Sequence, residues 1–122
     1  MADSPLILKS KAFALEVIQV CKELRAAKCE SALINQFLRS GTSIGANIRE
    51  AFYAHGKADF IAKLQIALKE CYETEYWLEL FVKSELLDRE IAKELYNQCG
   101  TIRRMLIASI NTAKENVNDC KK

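Results

Sequence analysis

Residues Ser31–Gly56 read SALINQFLRSGTSIGANIREAFYAHG. On a helical wheel of about 100° per residue, Ile34, Phe37, Leu38, Ile44, Ile48 and Phe52 fall on one side. Gln36, Arg39, Ser43, Asn47 and Glu50 fall on the other. A single apolar stripe of this length is the pattern of an amphipathic helix packed against its neighbours. Gly56 is expected to stop it in a left-handed conformation. Gly41 and Gly45 stand near the centre of the buried face. An interior glycine costs about 1 kcal/mol relative to alanine, so two of them point to close helix packing, where a neighbouring backbone needs the space. A phosphate cradle is the competing reading of GTSIG. It fails because a P-loop needs G-x-x-x-x-G-K-[ST] after a strand, and here the spacing is short, the lysine is absent and no strand precedes.

Working outward, three more helices follow from the same periodicity. Helix 1 is expected from Ser4 to Lys28, with Ser4 as its cap and Pro5 as its first helical residue. Helix 3 is expected from Lys57 to Lys83, and helix 4 from an Asp88 cap to Val117, with Asn118–Lys122 fraying. The connections are a few residues long, so consecutive helices must run antiparallel. The expected fold is all-α, an up-down-up-down four-helix bundle in one domain spanning residues 1–122. Only four Gly and one Pro occur in the chain, too few for a sandwich or barrel of short strands.

Half of the residues are apolar and 28% are charged, which supports a packed core rather than disorder. No apolar run approaches the roughly 18 residues of a membrane span. The start, MADSPLILKS, lacks the basic region and long apolar run of a signal peptide. A cytoplasmic protein without membrane partners is expected. Cysteines at 21, 29, 71, 99 and 120 show no C-x-x-C spacing and read as reduced, partly buried thiols. With His55 as the one histidine, no zinc ligand set is recognisable, and no metal or cofactor is expected.

The helices differ in how many faces they must bury. Helix 4 has one stripe, Ile91, Leu95, Cys99, Ile102, Leu106 and Ala113, opposite Lys93, Asn97, Arg104 and Asn111. Helix 1 has a seam of Leu6, Phe13, Val17, Val20 and Leu24, but Ile7, Leu15 and Ile18 point nearly the opposite way. Helix 3 has Phe60, Leu64, Cys71, Leu78 and Phe81, while Ile66, Trp77 and Leu80 fall outside that stripe, with Tyr76 nearby. Burying one large apolar side chain is worth about 1.5–3 kcal/mol, and a contiguous exposed set marks an interface. Ile7, Leu15, Ile18, Ile66, Trp77 and Leu80 are therefore the expected oligomer interface. Helices 1 and 3 are diagonal in the expected bundle, so the two patches lie on opposite sides. Different patches on opposite sides suit head-to-tail contacts, which close into a ring when the rotation allows. One polar face, of helix 2 or of helix 4, would then line the lumen.

Two segments carry a family resemblance. GTSIGANIREA, Gly41–Ala51, and DFIAKLQIALKECYETEYWLEL, Asp59–Leu80, resemble the four-helix bundle family associated with intervening sequences in 23S ribosomal RNA genes, also called the S23 or IVP family. The resemblance implies a cytosolic bacterial protein assembled as a homopentameric ring. Family members encoded within rRNA intervening sequences have no established activity. Similar proteins serve as accessory factors of diversity-generating retroelements, in which a basic ring binds nucleic acid and a reverse transcriptase. The present chain departs from that group, with a net charge of only +2.

Three functions remain open on these residues. The first is a non-enzymatic oligomeric scaffold or interaction protein, which needs only the double-faced helices 1 and 3. The second is an RNA- or DNA-binding accessory protein. Its support is Arg89, Lys93 and Arg104 on the outer face of helix 4, with Arg103 and Lys114 to one side. Helix 1 adds Lys11, Lys22 and Arg25, but a solvated face is the commoner explanation of such charges, and these three flank the apolar patch, where a rim to it is the competing reading. The third is an enzyme. Glu70, Glu73, Glu75 and Glu79 lack the histidine three residues on that a di-metal carboxylate bundle uses. Only Glu75 falls in the core sector, where a hydrogen-bonded carboxylate is the plainer reading than a general acid with a raised pKa. Asn47 and Glu50 are the candidates for a small ligand in a lumen.

Overall fold

The computed structural model describes the backbone of residues 4–120 and the side chains of residues 4–115. It contains four helices, α1 (Pro5–Ala26), α2 (Ser31–Phe52), α3 (Lys57–Lys83) and α4 (Arg89–Cys120), and among the described residues there is no strand. The first helix begins as its sequence dictates: the Ser4 hydroxyl accepts from the Ile7 N–H at 3.2 Å, and Pro5 follows at a position where a missing N–H costs nothing. Asp88 opens α4, accepting from the Ile91 N–H at 3.4 Å. α4 continues to Cys120, past Val117, and Lys121 and Lys122, also expected to fray, lie outside the described residues.

Gly56 departs from expectation. It is extended, with φ −177°, and caps the start of α3 rather than the end of α2, which stops at Phe52. Among the described residues, the left-handed ones are Lys28 and Glu85, both with φ 60°. Each closes a helix in the same way. The Cys29 N–H reaches the Leu24 carbonyl and the Lys28 N–H the Arg25 carbonyl. The Leu86 N–H reaches Phe81, and the Glu85 N–H reaches Val82. These are Schellman closures built without glycine.

α1 packs on α2 and α4, and α3 packs on α2 and α4, so α1 lies diagonally across from α3 and α2 from α4. The core is the union of the stripes. Phe13, Val17, Ile34, Phe37, Ile44, Ile48, Leu64, Leu78, Phe81, Ile102 and Leu106 are fully buried, and Phe37 meets Phe81 edge to face with centroids 5.3 Å apart. Two stripe residues correct the wheel. Ile91 and Phe52 are exposed, and Ala92 and Ala51 are buried in their stead. Ile91 lies in the first turn of α4, close to the start of the helix. Phe52 ends α2 and leans on Phe60 instead, ring centroids 5.8 Å apart.

α1 crosses α2 at the paired glycines. A Cβ at Gly41 would lie 2.9 Å from both γ-carbons of Val17, and one at Gly45 would lie 3.3 Å from Ser10 Oγ. Among the described residues, four polar side chains are buried, Ser10, Ser40, Thr74 and Glu75. Thr74 Oγ1 lies 2.7 Å from the Glu70 carbonyl and 3.0 Å from Ser40 Oγ, stitching α3 to α2. No described polar side-chain atom is buried without a partner, as an ordered core requires.

Candidate interaction surfaces

The outer face of α1 presents Leu8, Leu15 and Ile18 to solvent, Leu15 at 63% exposure. Ile7 is half-buried and packs on the core. The outer face of α3 presents Ile66, Tyr72, Tyr76 and Leu80, Tyr76 at 53%. Of the residues singled out from sequence, Leu15, Ile18, Ile66 and Leu80 thus stand exposed on two helices that do not touch each other. Trp77 is placed differently. It is half-buried against the core, and its Nε1–H points at Glu73 Oε2, 3.4 Å away. Glu73 in turn pairs with Arg39 of α2, whose other nitrogen lies 3.3 Å from Glu70. The indole is therefore held from below by the bundle and at its edge by a carboxylate.

Along α4 the basic residues divide into groups. Arg89 and Lys93 are exposed near its start. Arg103 and Arg104 converge over Gly100: a Cβ there would lie 3.4 Å from Arg103 Nη2 and 3.3 Å from Arg104 Nη1. Lys114 stands apart, because a rise of about 1.5 Å per residue puts it roughly 37 Å from Arg89. Arg103 is not free. Its Nε–H donates to Glu75 Oε1 at 2.9 Å, and its guanidinium carbon lies 5.7 Å from the centre of the Tyr72 ring, within cation–π range. The bond to Glu75 raises the Arg103 pKa above its already high ordinary value. Glu75 is the hydrogen-bonded core carboxylate read from the wheel. Asn47 donates to the Ser43 carbonyl at 2.9 Å, and Glu50 faces Lys63 at 3.6 Å, so both have partners within the bundle.

One concavity was not legible on any single helix. Where the end of α3 meets the start of α4, a groove of about 310 Å³ is lined by Leu78, Val82, Ala92 and Tyr96, with Glu79, Lys83, Arg89, Lys93 and Asn97 around it. Each helix contributes only part of the floor, so finding it requires the register between α3 and α4. Cys21, Cys29, Cys71 and Cys99 are free thiols. Burial raises the Cys21 pKa, and contact with Cys71 followed by burial raises that of Cys99, which leaves both as inert thiols at neutral pH. Among the described residues no three His, Cys, Asp or Glu side chains gather as a metal site. No helix among them is long and apolar enough to cross a membrane.

Residues 3–108 match the family described as 23S rRNA-intervening sequence protein. A crystal structure of a protein with unknown function from the S23 ribosomal protein family of Bacteroides thetaiotaomicron VPI-5482 is 48% identical in sequence. The match covers 86% of this chain and 97% of that one, with a TM-score of 0.84. No curated protein matches the chain.

Proposed function

The chain belongs to the 23S rRNA-intervening sequence protein family, and we propose that it is a non-enzymatic, cytoplasmic scaffold that assembles into a homopentameric ring. The subunit is an up-down-up-down bundle in this reading. Cross-helix pairs support that order, since they run in opposite directions along neighbours: Phe37 with Phe81, Ser40 with Thr74 and Phe52 with Phe60 across α2 and α3. Glu79 with Tyr96 and Glu75 with Arg103 do the same across α3 and α4. The observation that carries the reading is the pair of exposed apolar faces on the diagonal helices, Leu15 and Ile18 on α1 and Ile66, Tyr76 and Leu80 on α3. One core cannot bury both, and head-to-tail contact buries each against the other. The number five comes from the family resemblance, and the free thiols suit a reducing compartment. Light scattering at micromolar concentration tests it. The expected mass is near five times the 13.8 kDa of one chain, and a monomer overturns the ring.

A second reading rests on Arg103 and Arg104 converging over Gly100 beside Tyr72. Repeated around a ring, these guanidiniums would present phosphate donors to RNA or DNA. The net charge of +2 weighs against it, because phosphate-binding surfaces carry a clear basic excess. An RNA shift assay across a salt series decides. Binding that weakens with salt and is lost in Arg104→Glu supports this reading, and no shift at low salt removes it.

A further inference from the structure

We propose that the groove between α3 and α4 is a binding site for a small organic anion with an apolar body, the chemistry of a medium-chain carboxylate. The inference is independent of the ring and of nucleic-acid binding. Its floor is made of Leu78 and Ala92, both buried, with Val82 and the Tyr96 ring as walls. Such a floor offers no partner to a polar ligand atom and rewards aliphatic or aromatic carbon.

The rim has the opposite character. Lys83, Arg89 and Lys93 are among the residues that line it, and none of the three forms an ion pair among the described residues. The lining carboxylate is Glu79, whose Oε1 lies 3.4 Å from the Tyr96 hydroxyl, a donor that faces it across the groove. Asp88 is occupied at the start of α4, accepting from the Ile91 N–H. Glu90 and Glu94 line an adjoining depression that shares Lys93 and Asn97 with the groove. Three cations around an apolar floor with one engaged carboxylate complement an anionic head on an apolar tail. At about 310 Å³ the groove stands at the small end of ligand sites, which begin at roughly 300 Å³. That size favours one compact molecule over a partner helix.

The test is a titration of the intact protein with sodium decanoate, followed by NMR of the Val82 and Ala92 methyl groups. Decyltrimethylammonium serves as the cationic counterpart with the same tail. Decanoate is expected to give saturable shifts at both methyls, and the cation none. Arg89→Glu with Lys93→Glu, both exposed and therefore neutral to folding, is expected to weaken decanoate binding at least about tenfold. Circular dichroism confirms that helix content is kept. No saturable shift, shifts confined to other surfaces, equal binding of the cation, or indifference to charge reversal would each overturn the proposal. The last two outcomes would make the groove a plain apolar contact site for a neutral or protein partner.

Discussion

Arg103 donates its Nε–H to Glu75 across the α3–α4 seam, 2.9 Å from nitrogen to oxygen. Glu75 is 6% exposed, so the guanidinium is the partner that makes a charge tolerable at that depth. Arg103→Ala strands the carboxylate and is expected to cost about 2–4 kcal/mol in urea unfolding. Replacing both partners, Glu75→Leu with Arg103→Met, removes the buried charge with its partner and is expected to recover most of that loss. A double variant no more stable than the single one would reject the pair as the source of the cost.

Gly41 sits where α1 comes closest to α2. An added Cβ would meet both γ-carbons of Val17 at 2.9 Å, and a β-branched side chain on a helix has essentially one rotamer to offer. Gly41→Ala therefore loses more to overpacking than the roughly 1 kcal/mol it gains in helix propensity. A net loss of about 1–2 kcal/mol in thermal or urea unfolding is expected. Adding Val17→Ala makes room, so the double variant should lose less than the sum of the two singles. Strict additivity would show that the crossing is not fixed by this contact.

Phe13, Val17, Ile44, Leu64 and Leu106 are readable as core from spacing alone, because a period of about 3.6 residues gathers them on one side whatever the partner. Periodicity misplaces Ile91 and Phe52, which lie near helix ends where a neighbour no longer covers the stripe. It puts Trp77 outside the main stripe, on the expected interface, whereas the indole is half-buried against the core and bonds to Glu73. The bond of Arg103 to Glu75 and the groove over Leu78 and Ala92 depend on the register between two helices, which no single stripe contains. The left-handed closures at Lys28 and Glu85 leave no trace in composition, because glycine is the residue that marks such positions.

Those closures carry their own prediction. A non-glycine residue in the left-handed region costs roughly 1–2 kcal/mol, and neither Lys28 nor Glu85 forms an ion pair among the described residues. Lys28→Gly and Glu85→Gly are each expected to stabilise the fold by about 0.5–1 kcal/mol, after allowing for the greater chain entropy of glycine in the unfolded state. The sites are at the ends of different helices, so their effects should add. Melting temperatures that fall in both variants would reject this account.

The buried thiols set a direction for pH. Contact with Cys71 and burial hold the Cys99 thiol protonated far above its ordinary range, whereas in the unfolded chain it ionises near pH 8.5. Above that pH the folded state keeps a proton that the unfolded state releases, so stability falls as pH rises, by up to about 1.4 kcal/mol per pH unit for one thiol. Cys99→Ala should flatten the slope measured between about pH 8.5 and 10. In a Cys120→Ser background, half-buried Cys29 should react with a disulfide reagent before Cys21, Cys71 and Cys99, which are buried. Prompt reaction of all four would mean that the bundle opens far more readily than its packing implies.

The assembly prediction turns on separating interface from core. Trp77 is the obvious residue to remove, since buried tryptophan is over-represented in binding hot spots. Yet it packs on the core and bonds to Glu73, so Trp77→Ala is expected to lower subunit stability as well as association. Leu15, 63% exposed on α1, and Leu80, at the exposed edge of α3, test the ring more cleanly. Leu15→Glu places a charge that a solvated helix face accepts and an apolar contact does not. It should dissociate the assembly in light scattering while leaving the circular dichroism of the subunit unchanged. Leu80→Glu should act alike, because head-to-tail contact uses both faces at every junction. Mixing the two variants supplies the sharper observation. Each retains one intact face, so equal amounts should pair into dimers through the single undamaged junction but never close a ring. Dissociation by only one of the two substitutions would show that α1 and α3 do not meet each other, and an oligomer unaffected by either would place the contact elsewhere on the bundle.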